Sequence, residues 1–564
     1  MGNAGFINYI VIEFEIENSM ISRRLGFLIF AILSLVVLCS PFLNNPLVFD
    51  DEPFFRQGGP AEIIARGISL SPRLWVYDTL AGSFLFLSDK ILWLRVESLF
   101  FHCCTALVLF GLIRQLLNSL DHRRSFVLSA DTAAFVAAFL FAIHPLAILT
   151  QGYLIQRTIV CATLFGLLGL WTFWQGLCGK RWALWTSCLC LLLSIYAKEH
   201  AVMLPALCFL LWVLHRRSQL SSPLSTREIF SALAVQALVS ISIVLWVKGV
   251  IGHAYEDITG EMLADEVSLP QGSLYSLSLL NQMGLFFKYL SILLLPQGSS
   301  MGLDLRVPFP LSYGVWWLWA GLVGFVAYGV AAFLLLMRGG SKGLLGFSLL
   351  FPWVLFATEL VSVRLQEAFV LYRSYLWIPG LFIALAMGLR RLKRFYIVTL
   401  IPVFALYLFG LSYDRLMSLS APYFVWNDAA QYLESQGNRP GIFGGYRIYY
   451  NLGNAYFDND FIEQALKNYD ISIALKPSYS YAYHQRGRAF LKLNELEKAR
   501  VNFEQSIKLK PDYAKPYLGM ADVFKGLGKA DDAQHYLEIG CSKGSQPACD
   551  RAHPKRPLML APQA

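Results

Sequence analysis

The stretch "VFDDEPFF", Val48 to Phe55, sets three carboxylates side by side, Asp50, Asp51 and Glu52. A carboxylate can take the proton from an attacking hydroxyl when it sits within about 2.6–3.2 Å of it. Pro53 restricts Glu52 to extended geometry. If Asp50 and Asp51 are extended too, Asp50 and Glu52 share one face and Asp51 takes the other. A structural role competes with this one. An acid followed by proline is also a good helix start, with the acid as cap and Pro53 in the first turn. Cations that could complete an anion site are Arg73 in "SPRLW", Arg157 in "QRT", Lys198, Arg306, Arg364 and Arg373. The planar fork of arginine binds phosphate bidentately.

Whether these groups can meet depends on the elements that carry them. Of the 564 residues, 56% are hydrophobic and only 15% charged, against about 25% charged in ordinary soluble domains. From about residue 24 to 415 the chain is a series of apolar blocks, each long enough to cross a hydrocarbon core of ~30 Å as a helix. We expect eleven spans, at 25–44, 92–117, 132–150, 156–177, 183–197, 200–214, 229–250, 314–337, 343–362, 374–389 and 396–414. The basic clusters "SRR", "DHRR", "GKR", "HRR", "MRGGSK" and "RRLKR" then all fall on one side, which the positive-inside rule makes cytoplasmic. The net charge of +9 therefore reports topology, and no nucleic-acid partner is expected.

One more apolar stretch, 274–295, carries Asn281, Gln282 and Lys288. Counted as a span, it would reverse everything after it. It is read as an interfacial or re-entrant helix with a polar edge. The segments 45–90, 251–313, 363–373 and everything after about 415 then face outward, together with the acidic triplet and its candidate cations. Residues 1–24 form a cytoplasmic segment whose first 19 residues are acidic, and translation is expected to start at Met1 or Met20. The first apolar run is too long for a cleavable signal and lacks a small-residue cleavage site.

Residues 446–547 repeat every 34 positions: Gly453 recurs as Gly487, Ala465 as Ala499 and Ala533, and Pro477 as Pro511. Aromatic residues keep register at Tyr449, Tyr483 and Tyr517, and at Tyr456, Phe490 and Phe524. This is the tetratricopeptide pattern of paired antiparallel helices, in three repeats. The expected fold is all-α: a polytopic membrane bundle over 25–415, a linker at 416–445, the repeat solenoid at 446–547 and a tail at 548–564. Such repeats bind protein partners and carry no chemistry of their own. Cys541 and Cys549, eight apart, would pair only in an oxidising compartment. The other eight cysteines sit in or beside apolar blocks as small hydrophobes.

Several segments in order resemble the GT-C superfamily of membrane glycosyltransferases: "WLRVESLFFHCCTALVLFGLIRQL" (93–116), "AAFLFAIHPLAILTQGYLIQRTIVCATLF" (133–165), "YAKEHAVMLPALCFLLW" (196–212), "FFKYLSILLLPQGSSMGLDLRVPFP" (286–310) and "LYRSYLWIPG" (371–380). With the repeats following the last span, the chain resembles the transmembrane-and-tetratricopeptide branch related to protein O-mannosyltransferases. The resemblance implies an extracytoplasmic active site, a polyprenyl-phosphate sugar donor, membrane-lipid contact, and an acceptor that is a protein or a glycan. "VFDDEPFF" resembles that family's acidic motif, which implies Asp50 as catalytic base. Asp51 follows directly, so the assignment between the two stays open. Donor phosphate would be held by Arg157, Lys198, Arg364 and Arg373, with Glu52, Arg73, His144 and Glu199 in support and a divalent metal, Mg or Mn, as an open addition.

Structural alternatives stand beside several of these. His102 and His144 read as buried helix-packing residues, Arg157 as a snorkelling cation, Lys198–Glu199 as an ion pair holding a hairpin, and Arg364 and Arg373 as partners of Glu367. Two further functions stay open: a non-catalytic membrane-anchored scaffold for envelope or pilus assembly, and a lipid-linked oligosaccharide polymerase or ligase. The sequence lacks a Walker loop, a His/Asp/Glu zinc motif and Gly-x-Ser-x-Gly. Without an Asn-x-Ser/Thr sequon or a C-terminal retrieval tetrapeptide, the expected location is a bacterial inner membrane, with site and repeats periplasmic.

Overall fold

A computed structural model describes residues 26, 29–49, 90–121, 127–246, 273–365, 367–437, 439 and 441–553. The regular elements among these residues are helices, with no strand. They divide into two compact units at Ala421 and Pro422.

In the first unit seven helices are long and apolar enough to cross a membrane, or eight if one bent pair is a single span. The bent pair lies in the block expected at 132–150: Ala130–Ala142 and Pro145–Gly152 meet at 50°. Pro145 lacks an N–H and cannot continue the first helix. His144 starts the second by accepting from the Leu146 N–H at 3.3 Å. Two other expected spans are also interrupted. The block at 200–214 opens as a 3-10 turn, Glu199–Met203, before Leu204–Arg217, and that at 374–389 opens as Leu371–Leu376 before the short helix Pro379–Leu389. Proline near the start of each helix explains both breaks.

The stretch 274–295 forms one continuous helix, Ser273–Leu294, and is itself among the seven. It packs parallel to Trp316–Leu336. Ser276 bonds the Tyr313 hydroxyl, a Cβ on Gly321 would stand 2.8 Å from the Gly284 Cα, and the rings of Phe286 and Phe325 lie 5.2 Å apart. Two successive helices that run parallel begin at the same end of the bundle, so residues 295–315 must bring the chain back. Apart from the 3-10 turn Gly298–Ser300 they do so as non-helical backbone, with Met301–Val307 buried in protein, a setting in which such backbone is tolerated at membrane depth. The polar edge is turned into protein and not toward a membrane surface. Gln282 donates to the Ala368 carbonyl at 2.7 Å, and Ser278 accepts from the Arg364 N–H at 3.2 Å.

The described basic clusters, at 179–181, 215–217, 337–342 and 390–394, gather at one end of this unit. Asp121 receives Arg390 and Arg391 at 3.2 and 3.3 Å, Gly340 N–H donates to Ser218, and Arg181 pairs with Glu228 at 2.8 Å.

The second unit begins earlier than the repeat pattern. Part of the stretch expected as a linker is a helix, Pro422–Gln436, whose Ala429 and Ala430 cover Ile448, Tyr449 and Leu452. Three helix pairs follow, Gly445–Asp458 with Ile462–Leu475, Ser480–Lys492 with Leu496–Leu509, and Lys515–Gly526 with Ala530–Ser542. The period has direct physical causes. Gly453 lies against the Tyr469 ring, and Gly487 and Gly519 both lie against Phe503, at distances that exclude a side chain. Asp460, Asn494 and Gly528, each 34 apart, take the left-handed turn between paired helices with φ of 66°, 60° and 75°, a conformation open chiefly to Gly, Asn and Asp. The last helix, Gln546–Ala552, is tied to the third pair by the disulfide Cys541–Cys549. The final residues of the predicted tail lie outside the described residues.

The packing of the second unit can be checked at both of its ends. A fragment starting at residue 422 should melt cooperatively and above one starting at residue 445, which uncovers Ile448 and Leu452; equal melting temperatures would deny Pro422–Gln436 its place in the fold. His484 is buried, and desolvation with nearby Arg488 and Lys515 lowers its pKa from 6.5 to about 3. The unfolded chain therefore binds a proton that the folded one refuses. Stability should fall as pH drops from about 6.5 toward 3, by at most ~1.4 kcal/mol per pH unit from this residue. His484→Gln should flatten that part of a pH-melting profile.

Candidate functional site at the end opposite the basic clusters

Arg95 organises the entry to the acidic loop. Its guanidinium donates to the carbonyls of Asn45, Pro46 and Gly152 at 3.0, 2.8 and 2.8 Å. Asn45 in turn donates to the Leu416 carbonyl at 3.1 Å. The chain leaves this clamp at Phe49, a non-glycine residue with φ of 55°, whose ring packs edge-on against Tyr153 at 6.0 Å. Tyr153 meets Tyr372 at 5.6 Å. Phe49, Asp304, Glu367 and Tyr372 line one small pocket. Asp50, Asp51, Glu52 and Arg73 lie outside the described residues.

The predicted phosphate ligands are described, and three of them stand in ion pairs. Arg157 opens the helix Arg157–Leu177, is fully buried, and pairs with Glu97. Its partner is a carboxylate within the bundle, so it does not snorkel. Arg364 and Arg373 share Glu359, each at 3.4 Å, and Arg373 also reaches Glu367 at 3.4 Å. Lys198 is buried beside the turn that carries Glu199 and His200. The His200 ring spans Glu199 at 3.5 Å and Glu359 at 3.6 Å. Lys198–Glu199 and Arg364–Arg373, far apart in sequence, thus meet through His200 and Glu359. Asp304 and Arg306 form another buried pair at 2.6 Å.

The two histidines of the helices have structural places. His102 lies between the Tyr375 hydroxyl at 2.7 Å and the Ala142 carbonyl at 2.9 Å. His144 bonds the Leu293 carbonyl at 3.1 Å through Nε2, besides capping its helix. The residues that sequence reading passed over are Glu97, Glu359, His200 and Arg95. Each interrupts or borders an apolar block, and that is the available signal: ionisable residues at membrane depth are costly and are kept where they pair or act. Among the described residues no group of three or more His, Cys, Asp or Glu is arranged to hold a metal ion.

The arrangement can orient an anion and handle protons. Arg157, Arg364 and Arg373 already face carboxylate, so an incoming phosphate must share or displace those contacts.

Comparison with known proteins bears on the second unit. A family described as TPR repeat matches residues 487–528. The chain contains a TPR repeat. No curated protein matches. Solved structures similar to this chain include the first TPR of Spaghetti (RPAP3) bound to an HSP90 peptide, at 18% identity over 19% of this chain and 86% of that one, with a TM-score of 0.19. MamA is 24% identical over 28% of this chain and 86% of its own, with a TM-score of 0.19. The Cut9–Hcn1 structure is 14% identical over 88% and 90%, with a TM-score of 0.20.

Glu359 is the residue on which this end rests. Glu359→Gln strips two buried arginines of a shared carboxylate and should cost about 3–5 kcal/mol. Glu367 is 36% exposed at its side chain, and Glu367→Gln should cost much less. Thermal melting of the detergent-solubilised chain compares them; equal losses would remove Glu359 from its central place.

Proposed function

We propose that the protein is an integral-membrane glycosyltransferase of the GT-C type. It transfers a sugar from a polyprenyl-phosphate donor to an extracytoplasmic acceptor, a protein hydroxyl recruited by the repeats. One observation carries the reading: Arg364 and Arg373, named as donor-phosphate ligands, and Glu199, named in support beside Lys198, come from separate sequence segments and converge around His200 and Glu359. They do so on the unit from which the acidic loop departs at Phe49.

In the proposed reaction the acceptor hydroxyl oxygen attacks C1 of the sugar. The bond between C1 and the phosphate oxygen breaks, and its electron pair leaves with the lipid phosphate. The hydroxyl proton passes to a carboxylate of the acidic loop, Asp50 first and Asp51 second. Arg157, Arg364 and Arg373, with Lys198, stabilise the negative charge gathering on the phosphate. Glu359 and Glu97 hold the guanidinium groups in place until then. A site at the membrane surface suits a donor whose lipid cannot leave the bilayer, and the Cys541–Cys549 pairing supports an oxidising, extracytoplasmic place for the repeats.

A scaffold is the second reading, favoured by the charge balance of the site. Arginines matched to Glu97 and Glu359 are also what a purely structural network contains. The readings part at Asp50. With membranes carrying matched amounts of protein and a labelled polyprenyl-phosphate sugar, Asp50→Asn should reduce transfer by at least ~100-fold, the scale of a lost general base. Asp51→Asn is measured alongside to decide between the two. Transfer unchanged in both variants, or absent from the native protein, would leave the scaffold.

A further inference from the structure

Phe424, 38% exposed, and Phe461, 46% exposed, are the only exposed Phe, Tyr or Trp among the described residues of the second unit; the others are partly or fully buried. The two belong to one cluster. Tyr423 meets Phe424 at 4.6 Å and Phe461 at 6.2 Å, and Tyr456 meets Tyr423 at 5.8 Å and Phe461 at 6.2 Å. Tyr423 and Phe424 stand at the start of Pro422–Gln436, and Phe461 immediately precedes Ile462–Leu475.

The repeat supplies its own comparison. Phe461, Glu495 and Lys529 are 34 apart, each directly before the second helix of its pair. The first is aromatic and the other two are charged. Beside them the rings of Tyr456, Phe490 and Phe524 recur with the same period. Lys498 lies over Phe490 at 5.3 Å, and Lys529 over Phe524 at 5.9 Å, next to the Tyr536 ring. At Tyr456 the rings of Tyr423 and Phe461 take the place of a lysine, and the position equivalent to Lys498 is Gln464. A surface that is charged on the second and third pairs is thus apolar on the first. Folding does not ask for the difference, because the helix pair closes twice with a charged residue at that position.

The chain itself says what covers the patch. Arg394–Ser418 is long and apolar enough to cross a membrane, and it runs away from the basic cluster at 390–394. Leu419, Ser420 and Ala421 join its end to Pro422, a step of at most ~14 Å when fully extended. Tyr423 and Phe424 therefore stay near the surface of the bilayer that this helix crosses. We infer that Tyr423, Phe424, Tyr456 and Phe461 form a docking surface for the lipid–water boundary of that bilayer. Phe424 and Phe461 enter its apolar edge, and Tyr423 and Tyr456 supply rings with a polar end suited to the headgroup layer. Asp458 and Glu463, exposed on either side of Phe461 in sequence, are repelled by anionic headgroups, so the surface that fits is zwitterionic. The inference goes beyond sugar transfer and stands without it; it rests on Arg394–Ser418 being a span.

The test uses the full chain in phosphatidylcholine vesicles, without any sugar donor. The photoreactive residue p-benzoylphenylalanine replaces Phe424, Phe461, Glu495, Lys529 or Val403, one at a time, and unchanged melting of each chain excludes misfolding. Val403 lies midway along Arg394–Ser418 and is 65% exposed, so it reports whether that helix meets lipid. After illumination, mass spectrometry should find lipid adducts at Val403, Phe424 and Phe461. Glu495 and Lys529 should give at least ~10-fold less, the scale set by burying one aromatic ring. Exchanging half of the lipid for phosphatidylglycerol should lower the yield at Phe461 relative to Val403. The inference is overturned by adducts at Val403 without them at Phe424 and Phe461, or by equal yields at all four positions of the second unit. A crosslinked pair of chains in place of a lipid adduct, or a Phe461 yield unmoved by anionic lipid, overturns it too. Absence of a lipid adduct at Val403 removes the span itself, and the docking surface with it.

Discussion

A carboxylate shared by two arginines, in surroundings that exclude water, is the constraint from which the rest of the first unit follows. Glu359, Arg364 and Arg373 are each at most 5% exposed at the side chain. Removing such charges from water costs several kcal/mol per ion, and only close mutual pairing returns it. The backbone must therefore bring the end of one helix, the loop after it and the following 3-10 turn to one point. Glu359 lies in the element Phe356–Leu360, Arg364 in the loop, and Arg373 in Leu371–Leu376. The helix Ser273–Leu294 supports that loop by bonding Ala368 and Arg364 through Gln282 and Ser278. Its parallel run beside Trp316–Leu336 follows from this support, since the helix enters to brace the loop and the chain then returns.

The same economy governs the opposite side of the site. Arg157 and Glu97 come from two long helices and neutralise one another within the bundle. Arg95, two residues earlier, turns the other way and takes three backbone carbonyls. One helix thus carries a carboxylate facing inward and a cation that fixes the start of the acidic loop. Buried networks of this kind stabilise little against an apolar alternative, but when fully paired they rigidify the groups that form them.

The repeat unit is built on different physics. Its order comes from shape: glycines where Tyr469 and Phe503 approach, and left-handed residues where the chain turns. Hydrogen bonds recur with the same period, Ser472 donating to the Tyr446 carbonyl and Ser506 to that of Ser480. Each pair touches mainly its neighbours, so this order is handed from one repeat to the next.

Much of this was legible in the residues themselves. The 34-residue period, the apolar blocks and the gathering of basic clusters at one end depend on local composition and spacing, which the chain carries without knowing its partners. Arg157, Lys198, Arg364 and Arg373 could also be picked out, because cations bordering apolar blocks are conspicuous. The sequence could not say that Glu359 joins two of them, that His200 links Lys198–Glu199 to that pair, or that Arg157 is matched by Glu97, since those pairings cross up to about 160 residues of chain. Nor could it show Pro422–Gln436 as part of the repeat unit, because that helix lacks the repeat's residues and is recognised only by what it covers. Periodicity and charge are one-dimensional signals and survive in the sequence; which buried charge meets which is decided by desolvation in three dimensions, and only the tertiary structure records it.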